Sequence, residues 1–97
     1  MKLRFTQRAV ENLNEVSDYL YERNPAAADH VRADIYTGLQ NLLLFPAAGR
    51  LQDVAGVRKL VTRKYAYLIY YTVDGPAEEV VILNVKHPAQ ARDFEDA

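Results

Sequence analysis

Several residue types and patterns are missing from this chain of 97 residues, and each absence removes a class of function. Cysteine is absent, which excludes disulfides, thiolate catalysis and cysteine-ligated zinc. The single serine, Ser17, falls inside a predicted helix and not in a nucleophile elbow, and no HExxH or other metal-binding spacing occurs. We therefore expect no hydrolase of the serine or cysteine type, no metal site and no cofactor.

Long apolar runs are missing as well. No window reaches the length of a transmembrane span, and the first residues, MKLRFTQRAVENL, carry charges at short intervals in place of a signal-peptide core. We expect a cytoplasmic protein that does not contact a membrane. At 97 residues with 49% hydrophobic content, the chain has the size and composition of one folded domain, residues 1–97.

The net charge of -1 hides an uneven distribution along the chain. Residues 49–65 contain five basic side chains and one acidic, whereas residues 66–97 contain two basic and six acidic. A concentration of one sign is a candidate docking surface for an anion or an acidic partner. The alternative is a solvated strand face whose cations bind nothing. The five cations, which we call the basic segment, are Arg50, Arg58, Lys59, Arg63 and Lys64.

Hydrophobic periodicity predicts two helices in the first half of the chain. After a short alternating strand, MKLRFT, Thr6 is the predicted N-cap of a helix that runs to about residue 23, with an apolar stripe starting at Val10. Asn24 and Pro25 cap and start a second helix that runs to about residue 44. Because the connection is so short, the helices are predicted to form an antiparallel hairpin.

Beyond Pro46 the period changes to that of strands. Three segments rich in Val, Ile and Tyr, residues 57–62, 64–73 and 78–87, are predicted to form an antiparallel meander with a turn at residues 74–77. With the first strand and the helix hairpin, the element order is β-α-α-β-β-β. This order predicts a two-layer α+β fold, with the hairpin packed on a small, mainly antiparallel sheet.

Both faces of the last two predicted strands carry apolar residues, and a two-layer domain covers only one face. We therefore expect a partner chain over the second face, because monomers rarely expose large apolar patches. The alternative is that residues 88–97 fold back as a lid. The tyrosines of this region could stack on bases, but strand aromatics are more often buried in a core or an interface. They are Tyr65, Tyr67, Tyr70 and Tyr71.

Taken together and in order, these segments resemble the RelE/ParE superfamily of bacterial toxins over nearly the whole chain. The order and spacing of the motifs carry the resemblance, and their details are closer to the ParE branch than to the RelE branch. The motifs are the Thr-x-x-Ala start of the first helix (Thr6, Ala9), the helix hairpin, the PAAGR loop (46–50), and the strands VRKL (57–60), YLIYYTV (67–73) and VVILNVKH (80–87).

The resemblance implies a toxin of a type II toxin–antitoxin pair, held inactive in a hetero-oligomer by a ParD-like antitoxin. Free ParE-like toxins inhibit DNA gyrase, so the chain would act by binding and would not be an enzyme. The basic segment would contact the target, and DNA would be bound only through the antitoxin. We predict antitoxin contacts at the acidic stripe of the first helix and at apolar strand positions: Glu11, Glu15, Asp18, Leu68, Tyr70, Val80 and Ile82.

A RelE-like toxin would instead cut mRNA on the ribosome, and this alternative stays open. RNA cleavage without metal requires an activated 2′-hydroxyl, a balanced phosphate charge and a protonated leaving oxygen. Arg58, Arg63 and His87 would supply those groups. Against this, His87 stands at a strand end before Pro88, and the acidic last third of the chain suits a site lined by rRNA poorly. A third alternative is an inactive relative that only sequesters antitoxin.

Overall fold

The computed structural model describes residues 1–90, in which two helices pack on a five-stranded sheet. The α+β prediction is therefore confirmed, whereas residues 91–97, most of the predicted lid, lie outside the described residues. A short 3-10 helix, Pro88–Gln90, follows the last strand. The other elements are β1 (Lys2–Phe5), α1 (Gln7–Arg23), α2 (Pro25–Leu44), β2 (Arg50–Leu51), β3 (Arg58–Val61), β4 (Leu68–Asp74) and β5 (Glu79–Lys86).

Both helices begin at the predicted caps. The Thr6 hydroxyl accepts a hydrogen bond from the Ala9 backbone N–H at 3.1 Å and donates one to the Leu83 carbonyl at 3.1 Å. The Asn24 side chain accepts from the Ala27 backbone N–H at 3.1 Å. A single residue, Asn24, separates the two helices, so the chain reverses direction there and the hairpin forms.

The core lies between the hairpin and the sheet, and Leu13, Val16 and Leu20 of the predicted α1 stripe pack against it. Ala9 is fully buried, whereas Val10, the predicted start of the stripe, is 45% exposed. The fully or largely buried residues of α2 come at helical spacing and are Ala28, Val31, Asp34, Ile35, Gly38, Leu39 and Leu42. All are apolar or glycine except Asp34, whose partners are described below.

The sheet has the strand order β1-β5-β4-β3-β2. Strands β3, β4 and β5 form the predicted antiparallel meander, and β1 pairs parallel with β5. Strand β2, which the sequence did not predict, pairs Arg50 with Lys59 and Leu51 with Arg58 on β3. Two residues are too few for a hydrophobic period to be recognised.

Strand β4 starts later than predicted, because residues 62–67 form a turn that we call the basic turn. The Thr62 N–H donates to the Tyr67 carbonyl at 2.9 Å, and the Tyr67 N–H donates to the Thr62 hydroxyl at 2.9 Å. Ala66 has φ of 57°, which is incompatible with an extended strand. The predicted strand start at residue 64 is therefore wrong.

Strand β5 contains a bulge that changes which side chains face the helices. Tyr70 pairs with Asn84 and Tyr71 with Ile82, so Leu83 is an extra residue opposite that pair. Beyond the bulge the alternation is shifted by one, and Val85 joins the helix-side core. Uninterrupted alternation would place Val85 on the opposite face from Ile82, so the bulge is what brings Val85 to the helix side.

The expectation of an uncovered apolar sheet face is also wrong. Val80 and Ile82 are fully buried in the core under the helices. Leu68 and Tyr70 are only 5% and 1% exposed. All four side chains are buried in this structure, and their assignment as antitoxin contacts stays a prediction.

The tyrosines follow the burial expectation for strand aromatics. Tyr67, Tyr70 and Tyr71 are buried, and Tyr65 in the basic turn is exposed. Across residues 1–90, neither helix is long and apolar enough to cross a bilayer.

Candidate binding surface

The loop before β2 is held in place by two side chains that are neighbours on β3 and β4. The Tyr71 hydroxyl donates to the Pro46 carbonyl at 2.7 Å and accepts from the Gly49 N–H at 2.8 Å. Arg58 Nη1 donates to the carbonyls of Ala47 at 3.2 Å and Gly49 at 2.8 Å. We call this arrangement the loop clamp. The loop clamp fixes the backbone of residues 46–49, which leads to Arg50, the first residue of β2.

Gly49 is necessary for the loop clamp because the backbone approaches Tyr71 closely there. A Cβ at this position would lie 2.6 Å from the Tyr71 hydroxyl oxygen and 3.0 Å from the Lys59 carbonyl oxygen. Burial raises the pKa of Tyr71, although the Gly49 N–H and the Arg58 charge oppose that shift. The hydroxyl therefore stays protonated at neutral pH and can donate and accept at once.

Arg58 has a role in the structure that the sequence did not reveal. It is half-buried, pairs across the sheet with Tyr71, and directs Nη1 into the loop clamp. Both hydrogens of that nitrogen are occupied by loop carbonyls. That Arg58 contacts the target or binds a phosphate stays a prediction. Any such contact would use the remaining guanidinium donors.

Arg50 and Lys59 are brought together on the sheet face that points away from the helices. They are directly opposite each other on β2 and β3. The next residue, Leu60, packs against the helix-side core, so Lys59 faces the other way. Like charges in such a pair repel at about 5 Å. Of the two side chains, Arg50 is exposed and Lys59 is half-buried.

Arg63 and Lys64 are exposed in the basic turn, at the other end of β3 from Arg50 and Lys59. Among the described residues, neither makes an ion pair with a carboxylate. The basic segment thus forms two pairs of cations and not one patch. Along β3, Lys59 and Arg63 are roughly 13 Å apart at 3.3 Å per residue.

Below the basic turn lies a buried carboxylate. Asp34 on α2 is 6% exposed, and its oxygens accept from the backbone N–H groups of Lys64 at 3.1 Å and Tyr65 at 2.8 Å. Burial would raise the pKa of Asp34, but hydrogen bonds from Thr62, Tyr65 and Lys64, with the Lys64 charge, lower it below 3.8 overall. The carboxylate is therefore ionised at neutral pH.

Asp34 was not predicted as a site residue, although the sequence contains a signal for it. It falls on the apolar face of α2, three residues after Val31 and four before Gly38. A charge on such a face has to be paired or hydrogen-bonded, because an unpaired buried charge is very costly. The signal indicates that Asp34 has partners but not which ones, since they come about 30 residues later in the chain.

His87 lies on the α1 side of the molecule, beyond the end of β5. Its ring meets the Tyr67 ring edge-on, with centroids 5.3 Å apart, and its Nδ1 accepts from the Ala89 N–H at 3.0 Å. The surrounding cleft of about 700 Å³ is also lined by Arg8 and Glu15 of α1.

Two of the three side chains that RNA cleavage would require, Arg58 and His87, do not converge. Arg58, Tyr71 and Ile82 form one row across the sheet, and His87 comes five residues after Ile82, one of which is the bulged Leu83. Four residues along and two strand spacings across give roughly 16 Å between the Cα atoms of Arg58 and His87. A general acid has to come within hydrogen-bonding reach of the reacting group.

The acidic residues predicted to bind an antitoxin are exposed on α1. Glu11, Glu15 and Asp18 lie on one helix face, and Glu11 accepts a hydrogen bond from the Gln7 side chain at 3.2 Å. Glu11 and Glu15 line the cleft around His87, whereas α1 and α2 enclose a separate groove of about 590 Å³, on whose rim Tyr36 is 63% exposed. The structure thus offers one acidic stripe and one groove on the helix hairpin.

Within the part of the chain that the structure describes, no group of three or more His, Asp or Glu side chains could hold a metal ion. The site consists of cations, carboxylates and tyrosines.

Comparison with known proteins gives matches that span almost the whole chain. Residues 3–92 match the family model described as the ParE toxin of the type II toxin–antitoxin system parDE. The Y4kP protein of Sinorhizobium fredii is 35% identical over 89 residues, covering 92% of this chain and 90% of that protein. The toxin RelE2 of Caulobacter vibrioides is 31% identical over 86 residues, covering 89% and 93%.

A solved structure matches in three dimensions as well. The chain in the chromosomal ParDE toxin–antitoxin system of P. aeruginosa superposes with a TM-score of 0.75 at 27% identity, covering 90% of this chain and 95% of that one.

Proposed function

This chain belongs to the ParE toxin family of type II toxin–antitoxin systems, and from that membership we propose that its free form inhibits DNA gyrase by binding to it. A ParD-like antitoxin holds the chain inactive in a hetero-oligomer in the cytoplasm. The observation that carries the proposal is the separation of Arg58 from His87, together with the exposed cations near the two ends of β3, which are Arg50, Arg63 and Lys64.

Two further features favour a binding protein over a nuclease. Arg58 Nη1 donates to the loop carbonyls of Ala47 and Gly49, which leaves only the other guanidinium donors for a phosphate. The His87 ring packs on Tyr67, and its Nδ1 accepts a backbone hydrogen bond. Each side chain is thus fixed in its own surroundings, at opposite ends of the sheet.

The helix hairpin is the proposed antitoxin surface. The stripe of Glu11, Glu15 and Asp18 would attract basic antitoxin residues, and the groove between α1 and α2 would hold an apolar face of an antitoxin helix. The exposed ring of Tyr36 on the groove rim provides the large amphipathic contact that helix-in-groove interfaces use. Discrimination between related antitoxins would come from these charges and from the fit of the groove.

The experiment that tests the target adds the purified, antitoxin-free chain to gyrase with supercoiled plasmid and ATP, and in parallel to translating ribosomes with a defined mRNA. We expect cleaved plasmid to accumulate while the mRNA stays intact. The variant Arg63→Ala/Lys64→Ala should weaken the effect several-fold. The matched control is Lys2→Ala/Arg4→Ala, which removes two cations from β1 at the opposite edge of the sheet. The control should leave the inhibition unchanged.

Cut mRNA with untouched plasmid would refute the proposal and favour a RelE-like ribonuclease, an alternative that the similarity to RelE2 supports. In that case His87→Ala should abolish cleavage and leave antitoxin binding nearly intact. If expression without antitoxin is harmless and neither substrate changes, the chain is a sequestering relative and not an active toxin.

A further inference from the structure

Asp34 reaches the basic turn because α2 lies very close to β3 at that point. At Gly38, one helical turn after Asp34, a Cβ would lie 3.4 Å from Thr62 Cγ2 and from Ile69 Cδ1, at the close limit of ordinary van der Waals contact. With α2 so close, a side chain as short as aspartate spans the gap to the backbone of residues 64 and 65. The carboxylate is thereby inserted under the turn that carries two exposed cations.

The hydrogen bonds of Asp34 are not what closes this turn. Its base is already closed by the Thr62 N–H to the Tyr67 carbonyl, the Tyr67 N–H to the Thr62 hydroxyl, and the Ala66 N–H to the Thr62 carbonyl at 3.2 Å. Asp34 also accepts from the Thr62 side chain, but its backbone partners are the N–H groups at the tip, one of which belongs to Lys64 itself. The turn could therefore form without the carboxylate, but the direction of its tip would be free.

We propose that Asp34 is a positioning residue, which fixes the tip of the basic turn so that Arg63 and Lys64 present their charges to the target in one geometry. This inference rests on the proposed function in requiring that the toxin contact its target through the basic turn. It does not require that the target be gyrase. Fixing the backbone before binding reduces the ordering cost of association, which would otherwise weaken a contact made by two long side chains.

A double-mutant cycle separates positioning from a purely structural role. Asp34→Asn keeps the shape of the side chain but turns an amide NH₂ toward one of the two backbone N–H groups. It is measured alone and together with Arg63→Ala/Lys64→Ala. The readouts are growth arrest on expression without antitoxin and inhibition of gyrase supercoiling, both at a temperature where every variant is folded by circular dichroism.

We expect Asp34→Asn to weaken both effects by no more than the several-fold loss of Arg63→Ala/Lys64→Ala, and to add nothing once Arg63 and Lys64 are alanine, because groups that act through each other are not additive. Asp29→Asn is the matched control. Asp29 is an exposed carboxylate on the same helix, bonded to the Tyr21 hydroxyl at 2.8 Å, and its substitution should leave toxicity unchanged.

Gly38→Ala is a second, milder variant for the case in which Asp34→Asn fails to fold. Its methyl group would press on Thr62 and Ile69 and move α2 by a few tenths of an ångström. It should give the same pattern, with a smaller loss that again disappears when the two cations are removed.

An equal loss in both backgrounds would mean that Asp34 only stabilises the fold, and would overturn the inference while leaving gyrase inhibition intact. If growth arrest shows the expected non-additivity but the chain does not inhibit gyrase, the positioning role of Asp34 is supported and gyrase is refuted as the target. A wild-type chain that is harmless in cells would overturn both.

Discussion

The loop clamp can be tested by removing one oxygen atom, with Tyr71→Phe. The change keeps the buried ring and deletes the hydroxyl that bonds the Pro46 carbonyl and the Gly49 N–H. The buried Gly49 N–H is left without its partner, which costs about 1–3 kcal/mol, and the lost bond to Pro46 adds about 1 kcal/mol. We therefore expect the free energy of unfolding to fall by about 2–4 kcal/mol, a large fraction of the stability of a small domain.

The assay is urea unfolding followed by far-ultraviolet circular dichroism, with linear extrapolation to water. For a domain of this size the same loss lowers the melting temperature by roughly 10–20 °C. Tyr36→Phe is the matched control, because Tyr36 is 63% exposed, and it should stay within about 0.5 kcal/mol of the wild type. A Tyr71→Phe chain that is equally stable would refute the loop clamp as the element that holds residues 46–49.

The pH dependence of the same variant provides an independent check. Burial raises the pKa of Tyr71 above its ordinary value of 10.0. A group whose pKa is raised by folding contributes its stability fully below the unfolded pKa and loses it as the pH rises through the folded pKa. The stability difference between wild type and Tyr71→Phe should therefore be constant near neutral pH and shrink above about pH 10.

Three further predictions concern other parts of the surface. Gly49→Ala should cost about 1–3 kcal/mol in urea unfolding, because its methyl group collides with Tyr71, and an unchanged midpoint would contradict the close approach. Folding lowers the pKa of Asp34 below 3.8, so the contribution of its carboxylate to stability is present above that pH and is lost as the pH falls through the folded pKa. The difference in free energy of unfolding between wild type and Asp34→Asn should therefore shrink in acid, and a difference unchanged at pH 2 would contradict this. Glu15→Lys/Asp18→Lys should weaken binding of a ParD-like antitoxin in calorimetry, and unchanged affinity would remove the acidic stripe from the interface.

The helices could be predicted from sequence because their signals are local. Thr6, Asn24 and Pro25 specify helix starts within a few residues of themselves, and the apolar stripes repeat over several turns. Strands β3, β4 and β5 were recognised for the same reason, as runs of β-branched and aromatic residues separated by turn residues.

The errors lie where contacts distant in sequence decide the local structure. The start of β4 was misplaced because hydrogen bonds between Thr62 and Tyr67 close a turn before it, and the tip of that turn is bound by Asp34, about 30 residues earlier in the chain. The bulge at Leu83 moves the Val85 side chain to the other face of the sheet, and a bulge cannot be recognised from the pattern of apolar residues. The error about the apolar sheet face followed in part from that facing.

The site was predicted correctly in composition but not in arrangement. The cations of residues 49–65 were recognised by their density, yet density does not show that Arg58 binds its own loop while Arg63 and Lys64 are exposed. Tyr71 was read only as a strand aromatic, since nothing local indicates that its hydroxyl is the partner of a loop 22 residues earlier.

The two ends of β3 are organised in the same way, and this explains how a short segment can present cations rigidly. At one end the Tyr71 hydroxyl and the Arg58 guanidinium bind the backbone that leads to Arg50. At the other end the Asp34 carboxylate binds the backbone that carries Lys64. In both cases a side chain from another element bonds main-chain atoms and leaves the exposed side chains uncommitted. Exposed charges can then change without loss of the fold, whereas a change at either anchor alters the geometry of every charge that it supports.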